Sequence, residues 1–460
     1  MINKSNLLKF TLLVGDIVLI FFALFLVLAV RHGDLSFWPA AKINAFIFHF
    51  SFIAVAWLAL LYILDFYEIP PIKRVFDFLK NLLIFVILAA IIGAAYFYLK
   101  PKTLVTPKTI LFLEVLTFSV FLCAWRYIFY RILRIGNFKE KMVVIGFRPG
   151  LEELAGKNIF SRAGYEISAF FAPDASFPSR LLPFAGLAKH GVVSDIARLK
   201  EIVKKEKVSS VVFPRFLNGN EQIIQQIFVN LPLKLNYISF ADFYEGLVKK
   251  VPIGAVNEAW FLENISRSEK KIEDAIKRGF DILFSFIGLL ITTVLFPFIV
   301  LAIKIDSPGP VFYAQKRMGK DGKPFTLYKF RTMKNSKNQD KELWREKDGN
   351  QITRAGRFLR KSYLDEIPQL LHILKGDISF VGPRPEWVKL AEIFEKEIPF
   401  YSLRYLVKPG LTGWAQLHFP ASTSVEEAKV KFQYDLFYIK NRSFFMDLGI
   451  ILKTIRIIFR

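Results

Sequence analysis

Asp365 and Glu366 are adjacent acids in the run Ser362-Tyr363-Leu364-Asp365-Glu366-Ile367-Pro368-Gln369-Leu370-Leu371-His372-Ile373-Leu374-Lys375-Gly376. The pattern predicts a short helix ending at Gly376, because glycine readily takes the left-handed conformation just past a helix C-terminus. Proline is tolerated in the first helical turn, so Pro368 places both acids at the helix N-terminus. In mid-helix their side chains would diverge by about 100°. At a helix start they can converge, and the free backbone N–H groups there favour phosphate oxygens. Simple N-capping by Asp365 accounts for the same residues, so both readings are open at this point.

Cations precede the pair. Lys304 to Lys361 hold 16 lysines and arginines against 6 acids, an excess suited to a face lying on anionic lipid or to a phosphorylated substrate. Tyr328-Lys329-Phe330-Arg331 alternates at period two, which predicts a strand with Lys329 and Arg331 on one face. Two cations on one face suit a diphosphate. Gln315 and Arg317 stand in Gln315-Lys316-Arg317-Met318-Gly319, and Arg360 in Phe358-Leu359-Arg360-Lys361. Farther on, Pro383 and Pro385 flank Arg384. They hold its backbone extended, which aims a guanidinium at a phosphate with little loss of entropy; a structural turn with an incidental arginine has the same sequence. Lys408 belongs to Val407-Lys408-Pro409-Gly410-Leu411-Thr412-Gly413-Trp414-Ala415-Gln416.

These residues sit in a chain of 460 that is 53% hydrophobic yet carries a net charge of +23. An oily, basic chain of this length suits two or three folded units against anionic lipid. The charge lies beside apolar segments and not in one basic domain, which argues against nucleic acid as a partner. Cys123 is the single cysteine, so an intrachain disulfide and a multi-cysteine metal site are excluded. The five histidines lack the H-E-x-x-H spacing of a zinc hydrolase.

Four apolar stretches, Leu12 to Val30, Ala45 to Leu64, Leu82 to Leu99 and Ile110 to Tyr130, are each near the ~20 residues a membrane-crossing helix needs. No small-residue cleavage site follows the first, which is therefore expected to be retained. Arg126, Arg131, Arg134, Lys139 and Lys141 place the end of this block in the cytoplasm, although Lys100, Lys102 and Lys108 then fall in an outside loop. Asp16 and Glu114 lie within spans, where a carboxylate is costly and serves either function or helix packing. With no transport constellation around them, the block is expected to be an anchor.

From Lys139 the pattern changes. Met142-Val143-Val144-Ile145-Gly146, the turn Phe147-Arg148-Pro149-Gly150 and a helical run from Leu151 form the first unit of a doubly wound fold, and Val208 to Phe213 supplies another buried strand. G-x-G-x-x-G is incomplete, because Arg148 stands where a second glycine lets the backbone approach a pyrophosphate. A regulatory or dimerising α/β module is expected, with a second copy of the chain as its candidate partner. A membrane-anchored NAD enzyme acting on nucleotide sugars is the weaker alternative, since this segment has no Tyr-x-x-x-Lys pair.

A fifth apolar run, Ile282 to Ile303, lies between Lys277-Arg278 and Lys304. As a helix it measures about 33 Å, enough to cross roughly 30 Å of hydrocarbon. Pro297 favours a bend, and cations at both ends pull both toward the cytoplasm; a hairpin dipping into one leaflet satisfies both. Crossing and re-entry are both open on these grounds. Phe444 to Arg460, with Lys453 and Arg456, reads as an amphipathic helix in the interface or as a core helix.

The motifs KRGFDI, SPGPVFYAQKRMG, YKFRTM, LDEIPQL, LKGDISFVGPRPE and KPGLTGWAQL occur in this order from Lys277 onward. On them the chain closely resembles the bacterial sugar transferases, the polyprenyl-phosphate hexose-1-phosphate transferases. The whole chain resembles their large form, which implies a four-helix transmembrane bundle at residues 1–136 and a Rossmann-like α/β domain at 137–268. A mainly α catalytic domain then follows at 269–460, with a re-entrant helix at about 277–304 bent near Pro297. Many members have serine before that proline, where this chain has Phe296, and arginine where it has Lys408. The resemblance implies transfer of a sugar-1-phosphate from a UDP-sugar to undecaprenyl phosphate with release of UMP. It places this chemistry on the cytoplasmic face of the bacterial inner membrane, as the first step of exopolysaccharide, capsule or O-antigen assembly. Asp365 is implied as nucleophile, with Mg²⁺ near Asp365 and Glu366. Lys329, Arg360 and Arg384 are implied as phosphate clamps, Gln315 and Arg317 stand nearby, and Arg331 and Lys408 are further candidates for substrate binding. A membrane scaffold with a decayed site is the non-enzyme alternative, and retention of the acidic pair with the basic strand argues against it.

Overall fold

The computed structural model describes residues 4–32, 40–67, 75–99, 108–135, 140–146, 149–156, 159–172, 186–214, 221–233, 235–265, 271–334, 352–419, 422 and 424–458. Arg148, Lys100, Lys102, Lys139 and Arg460, singled out above, lie outside them, as do the side chains of Lys108 and Arg134. The chain forms two compact units. One carries the N-terminal helices and most of a parallel sheet; the other runs from Ile238 to the C-terminus and includes the turn after the first strand.

The four N-terminal apolar stretches form helices α1 (Lys4–His32), α2 (Ala40–Ile63), α3 (Val75–Leu99) and α4 (Lys108–Ile135). Each is long and apolar enough to cross a membrane. They share one buried core containing Leu24, Trp57, Phe85 and Phe118. Gly15 lets the indole of Trp125 lie against α1, since a side chain there would meet it at 2.6 Å. Beside this contact Arg126 donates two hydrogen bonds to Asp16, at 3.0 and 2.7 Å, with both side chains at most 2% exposed. Arg126 is thus not one of the cytoplasmic surface cations expected after the fourth span, because burying Asp16 in an apolar core requires a cationic partner. Glu114 is buried with no hydrogen-bond partner for either oxygen among the described residues.

The middle of the chain forms strands β1 (Glu140–Ile145), β2 (Tyr165–Phe171), β3 (Val192–Val193), β4 (Ser210–Phe213) and β5 (Asn236–Ser239). Their order is β3-β2-β1-β4-β5. The β1–β2, β1–β4 and β2–β3 pairings are parallel. β1 and β2 end in unbroken buried runs, as strands covered on both faces do. Gly150, in the turn after β1, has φ +104° and packs against Tyr244, which a side chain there would meet at 2.8 Å.

The second unit is built on a core that includes Trp260, Phe394, Phe432, Leu436 and Ile450. A helix, Lys271–Asp306, carries Pro297 inside it. Near its start Lys277 donates to the Val381 carbonyl at 2.9 Å, Arg278 to the carbonyls of Ile373 and Leu374 at 2.6 Å each, and Asp281 accepts from Ser379 at 3.1 Å. At its end Ile299 and Ile303 pack with Phe330 and Leu359, and Asp306 accepts from the Ala355 amide at 2.6 Å. Both ends of this long helix are therefore fastened to one body. β6 (Phe312–Met318) and β7 (Pro324–Phe330) form an antiparallel hairpin with Tyr313 opposite Lys329. β8 (Ser379–Val381) and β9 (Gly410–Thr412) pair in parallel. In the last helix, Phe444–Ile458, Ile450 is in the core while Phe445, Leu448 and Ile455 are exposed. It packs one side on the core and presents an apolar outer face, which suits either reading of it.

Candidate active site

The helix Arg354–Lys361 is capped by the Thr353 hydroxyl, which accepts from the Gly356 amide. After it Tyr363 adopts φ +56°, a left-handed conformation uncommon for a bulky residue, and reverses the chain into a 3-10 turn, Leu364–Glu366. The next helix, Gln369–Lys375, begins after Pro368, which makes no side-chain cap, and ends at Gly376 with φ +100°. Helix end, proline and glycine fall where the sequence placed them. The two acids do not: they lie in the turn upstream of that helix, and Asp365 does not cap it.

Glu366 is locked. Its Oε1 accepts from Lys329 Nζ at 2.5 Å and from Arg384 Nη2 at 2.7 Å, and its side chain is 15% exposed. Burial alone would raise its carboxyl, but the charges of Arg384 and Lys329 outweigh it and hold Glu366 down to about 2. Lys329, in turn, is pulled below the ordinary lysine range by burial and by Arg384.

Asp365 is left open. None of the side-chain hydrogen bonds or ion pairs among the described residues uses it. Burial raises its carboxyl above the ordinary aspartate range; Lys329 and Arg360 oppose this, and Glu366 adds to it. Arg360 is held beside it by a 2.8 Å hydrogen bond from Nε to the Thr332 hydroxyl. The result is a half-buried carboxylate with no side-chain hydrogen bond, set among cations that could serve as counter-charge to a phosphate.

Arg384 reaches Glu366 from a loop whose backbone is fixed on both sides. The Gly410 amide donates to the Pro383 carbonyl at 2.9 Å, the Gly382 amide to Thr412 at 2.9 Å, and the Met318 amide to Glu386 at 2.9 Å. Gly382 and Gly410 allow this crossing, since a side chain on Gly410 would stand 2.1 Å from the Gly382 nitrogen. Arg317 donates to the Pro385 carbonyl at 3.1 Å and to Gln315 Oε1 at 2.5 Å, so both residues adjoin the Arg384 loop.

Three sequence-selected residues stand elsewhere. Arg331 is 5% exposed and donates to the carbonyls of Pro308 and Ser307 at 2.7 and 2.6 Å. It lies just past the end of β7, where strand alternation no longer fixes a shared face with Lys329. Lys408 lies with Arg278 against Gly376, at the far end of the Gln369–Lys375 helix from the acids. Pro297 lies within the long helix.

Sequence reasoning missed a second ionic group behind Arg384. Glu386 accepts from Lys431 at 2.6 Å; Arg404 donates to Asp435 at 2.8 Å, to the Tyr401 hydroxyl at 2.6 Å and to the Arg384 carbonyl at 3.1 Å. The signal was present in the helix Val425–Asn441, where Lys431 and Asp435 share the buried face with Phe432 and Leu436.

No group of three or more His, Cys, Asp or Glu among the described residues is placed to hold a metal. Glu366 uses only Oε1 in its ion pairs and Asp365 makes no side-chain hydrogen bond, so each has an oxygen that could meet a Mg²⁺ ion shared with substrate phosphates and water.

The family described as bacterial sugar transferase matches residues 272–460. An Aeromonas hydrophila UDP-N-acetylgalactosamine-undecaprenyl-phosphate N-acetylgalactosaminephosphotransferase is 40% identical over 183 residues, 40% of this chain and 43% of that protein. The Escherichia coli (strain K12) UDP-glucose:undecaprenyl-phosphate glucose-1-phosphate transferase is 38% identical over 182 residues, 39% of each chain. The Rhizobium leguminosarum bv. phaseoli exopolysaccharide production protein PSS is 38% identical over 186 residues, 39% of this chain and 93% of that protein. The match thus spans about two fifths of the first two relatives and nearly all of the third, and on this chain it covers the module that carries Asp365, Glu366 and Arg384. The chain belongs to the bacterial sugar transferase family.

Proposed function

We propose that this protein transfers a sugar-1-phosphate from a UDP-sugar to undecaprenyl phosphate at the cytoplasmic face of the bacterial inner membrane. The observation that carries the reading is the contrast between neighbours: Glu366 gives its Oε1 to both Lys329 and Arg384, while Asp365 beside it, near the charges of Lys329 and Arg360, makes no side-chain hydrogen bond among the described residues. In the first step a carboxylate oxygen of Asp365 attacks the sugar-bearing phosphorus. The bond from that phosphorus to the bridging oxygen breaks, and UMP leaves with the electron pair. In the second step a phosphate oxygen of undecaprenyl phosphate attacks the same phosphorus and displaces the carboxylate, giving the undecaprenyl diphosphate sugar. Lys329, Arg384 and Arg360 meet phosphate oxygens, and Asp365 with Glu366 would hold Mg²⁺, which when bound neutralises charge on the diphosphate. The relatives' printed names support the donor and acceptor classes.

The long helix enters this reading as a hairpin dipping into one leaflet. Straight, its 36 residues would extend about 54 Å. Support comes from both ends being fastened to one unit, and from contacts of Gly288 with Leu370 and of Phe296 with Phe312 and Phe330 between them. This arrangement keeps Asp365 on the side where both nucleotide sugar and lipid phosphate are met.

The test is UMP release by the purified full chain with undecaprenyl phosphate, Mg²⁺ and a panel of UDP-sugars. Release with at least one sugar is expected, with turnover beyond about one UMP per enzyme dependent on the lipid acceptor; no release with any sugar from folded protein would refute the transferase reading.

A further inference from the structure

Arg384 meets Glu366 only because its own backbone is held from behind, and the holding group is buried and ionic. Arg404, Asp435 and Lys431 are each 8% exposed or less. Burying these three charges is costly, and apolar packing of similar volume is commonly at least as stable. Core stability alone therefore gives little reason for ions here. What the group does have is direction. Arg404 donates to the Arg384 carbonyl, Glu386 belongs to the same loop, and Lys431 and Asp435, one helical turn apart, hold these two in turn. With proline on either side of Arg384, its backbone has few conformations, so a hydrogen bond at its carbonyl sets where its guanidinium points.

We propose that Arg404, braced by Asp435, is a positioning residue for the transfer reaction, acting through Arg384. Its guanidinium satisfies three acceptors in fixed directions, the Tyr401 hydroxyl, the Asp435 carboxylate and the Arg384 carbonyl. An ammonium on a flexible stem cannot reproduce that fork. Displacing Arg384 by a fraction of an ångström loosens its grip on phosphate and on Glu366, and such misplacement costs catalysis even when the altered residue is remote from the reacting atoms.

The proposal rests on the transferase reading, and a double-mutant cycle separates the two. UMP release is measured for the full chain, Arg404→Lys, Arg384→Lys and the double variant, with Asp435→Asn in place of Arg404→Lys should that protein not fold. Arg404→Lys is expected to lower kcat/KM about tenfold alone but less than twofold in the Arg384→Lys background, because coupled residues are non-additive. Equal losses in both backgrounds would overturn the positioning role and leave Arg404 as a general core residue. Full activity of Arg384→Lys would instead remove the proposed clamp, and the positioning role with it.

Discussion

The protein buries carboxylates against arginine in two regions, and the two are built differently. In the N-terminal helices Asp16 and Arg126 meet in a closed, two-bond pair between α1 and α4, at most 2% exposed. In the catalytic module Glu366 shares one oxygen between Lys329 and Arg384, and the three side chains are 15–34% exposed. The first pair is sealed between α1 and α4 and joins the two helices, with only Arg126 Nε left unpartnered within it. The second leaves capacity unspent: Arg384 and Lys329 remain reachable, and Asp365 next door is engaged by neither. A sealed pair is a fastener; an open one beside an acid with no side-chain hydrogen bond has charge left to meet a ligand.

The largest effect expected from this contrast is at Asp365. Asp365→Asn keeps the shape and removes the charge proposed to attack, so UMP release should fall on the order of 10⁴-fold with an unchanged melting temperature. Residual activity within tenfold of the parent would erase the distinction between the two acids. Next comes the fastener: Asp16→Asn strands a buried guanidinium and should cost about 3–5 kcal/mol of stability, measured by thermal unfolding in detergent. Activity per folded molecule should stay within about twofold, and a specific loss of turnover would mean the helices do more than anchor.

Glu366→Gln should be intermediate, lowering UMP release about 10²-fold, because Lys329 and Arg384 lose the carboxylate that spaces them. It also carries a pH signature. The proposed attack requires ionised Asp365, whose carboxyl is raised by burial, opposed by Lys329 and Arg360 and raised further by Glu366. In the metal-free protein the Asp365 carboxyl should therefore titrate above an ordinary aspartate and move to lower pH in Glu366→Gln, as followed by carboxylate NMR; an upward move would reverse the assigned electrostatics. For stability the sign is set by Glu366 itself, whose folded value of about 2 lies below the ordinary one. Its contribution, on the order of 3 kcal/mol, is present above the ordinary glutamate range and lost as pH falls toward 2, so acid unfolding of the variant should lack that component. The smallest effect is local: Tyr363→Gly relieves a left-handed tyrosine and should stabilise the fold by about 1 kcal/mol or less, visible as a slightly higher melting temperature.

What could be read in advance was whatever is local in the chain. The apolar runs gave the four helices and the long fifth one, Pro368 and Gly376 bracketed a helix, and alternation gave β7. Arg331 shows where locality stops: one residue past a strand, its direction is set by the carbonyls of Pro308 and Ser307, 23 and 24 positions away. Arg126 shows the same at longer range, for its partner lies 110 residues upstream. The brace behind Arg384 joins Glu386, Arg404, Lys431 and Asp435 from three segments that no spacing rule connects. Charges on an apolar helix face were its one advance sign.

The most direct measurement is peptide mass spectrometry of the full chain after incubation with UDP-sugar and Mg²⁺ in the absence of lipid acceptor. A sugar-phosphate adduct on Asp365, discharged when undecaprenyl phosphate is added, is the expected result. An unmodified Asp365 in protein that turns over normally would contradict the covalent role of the open acid.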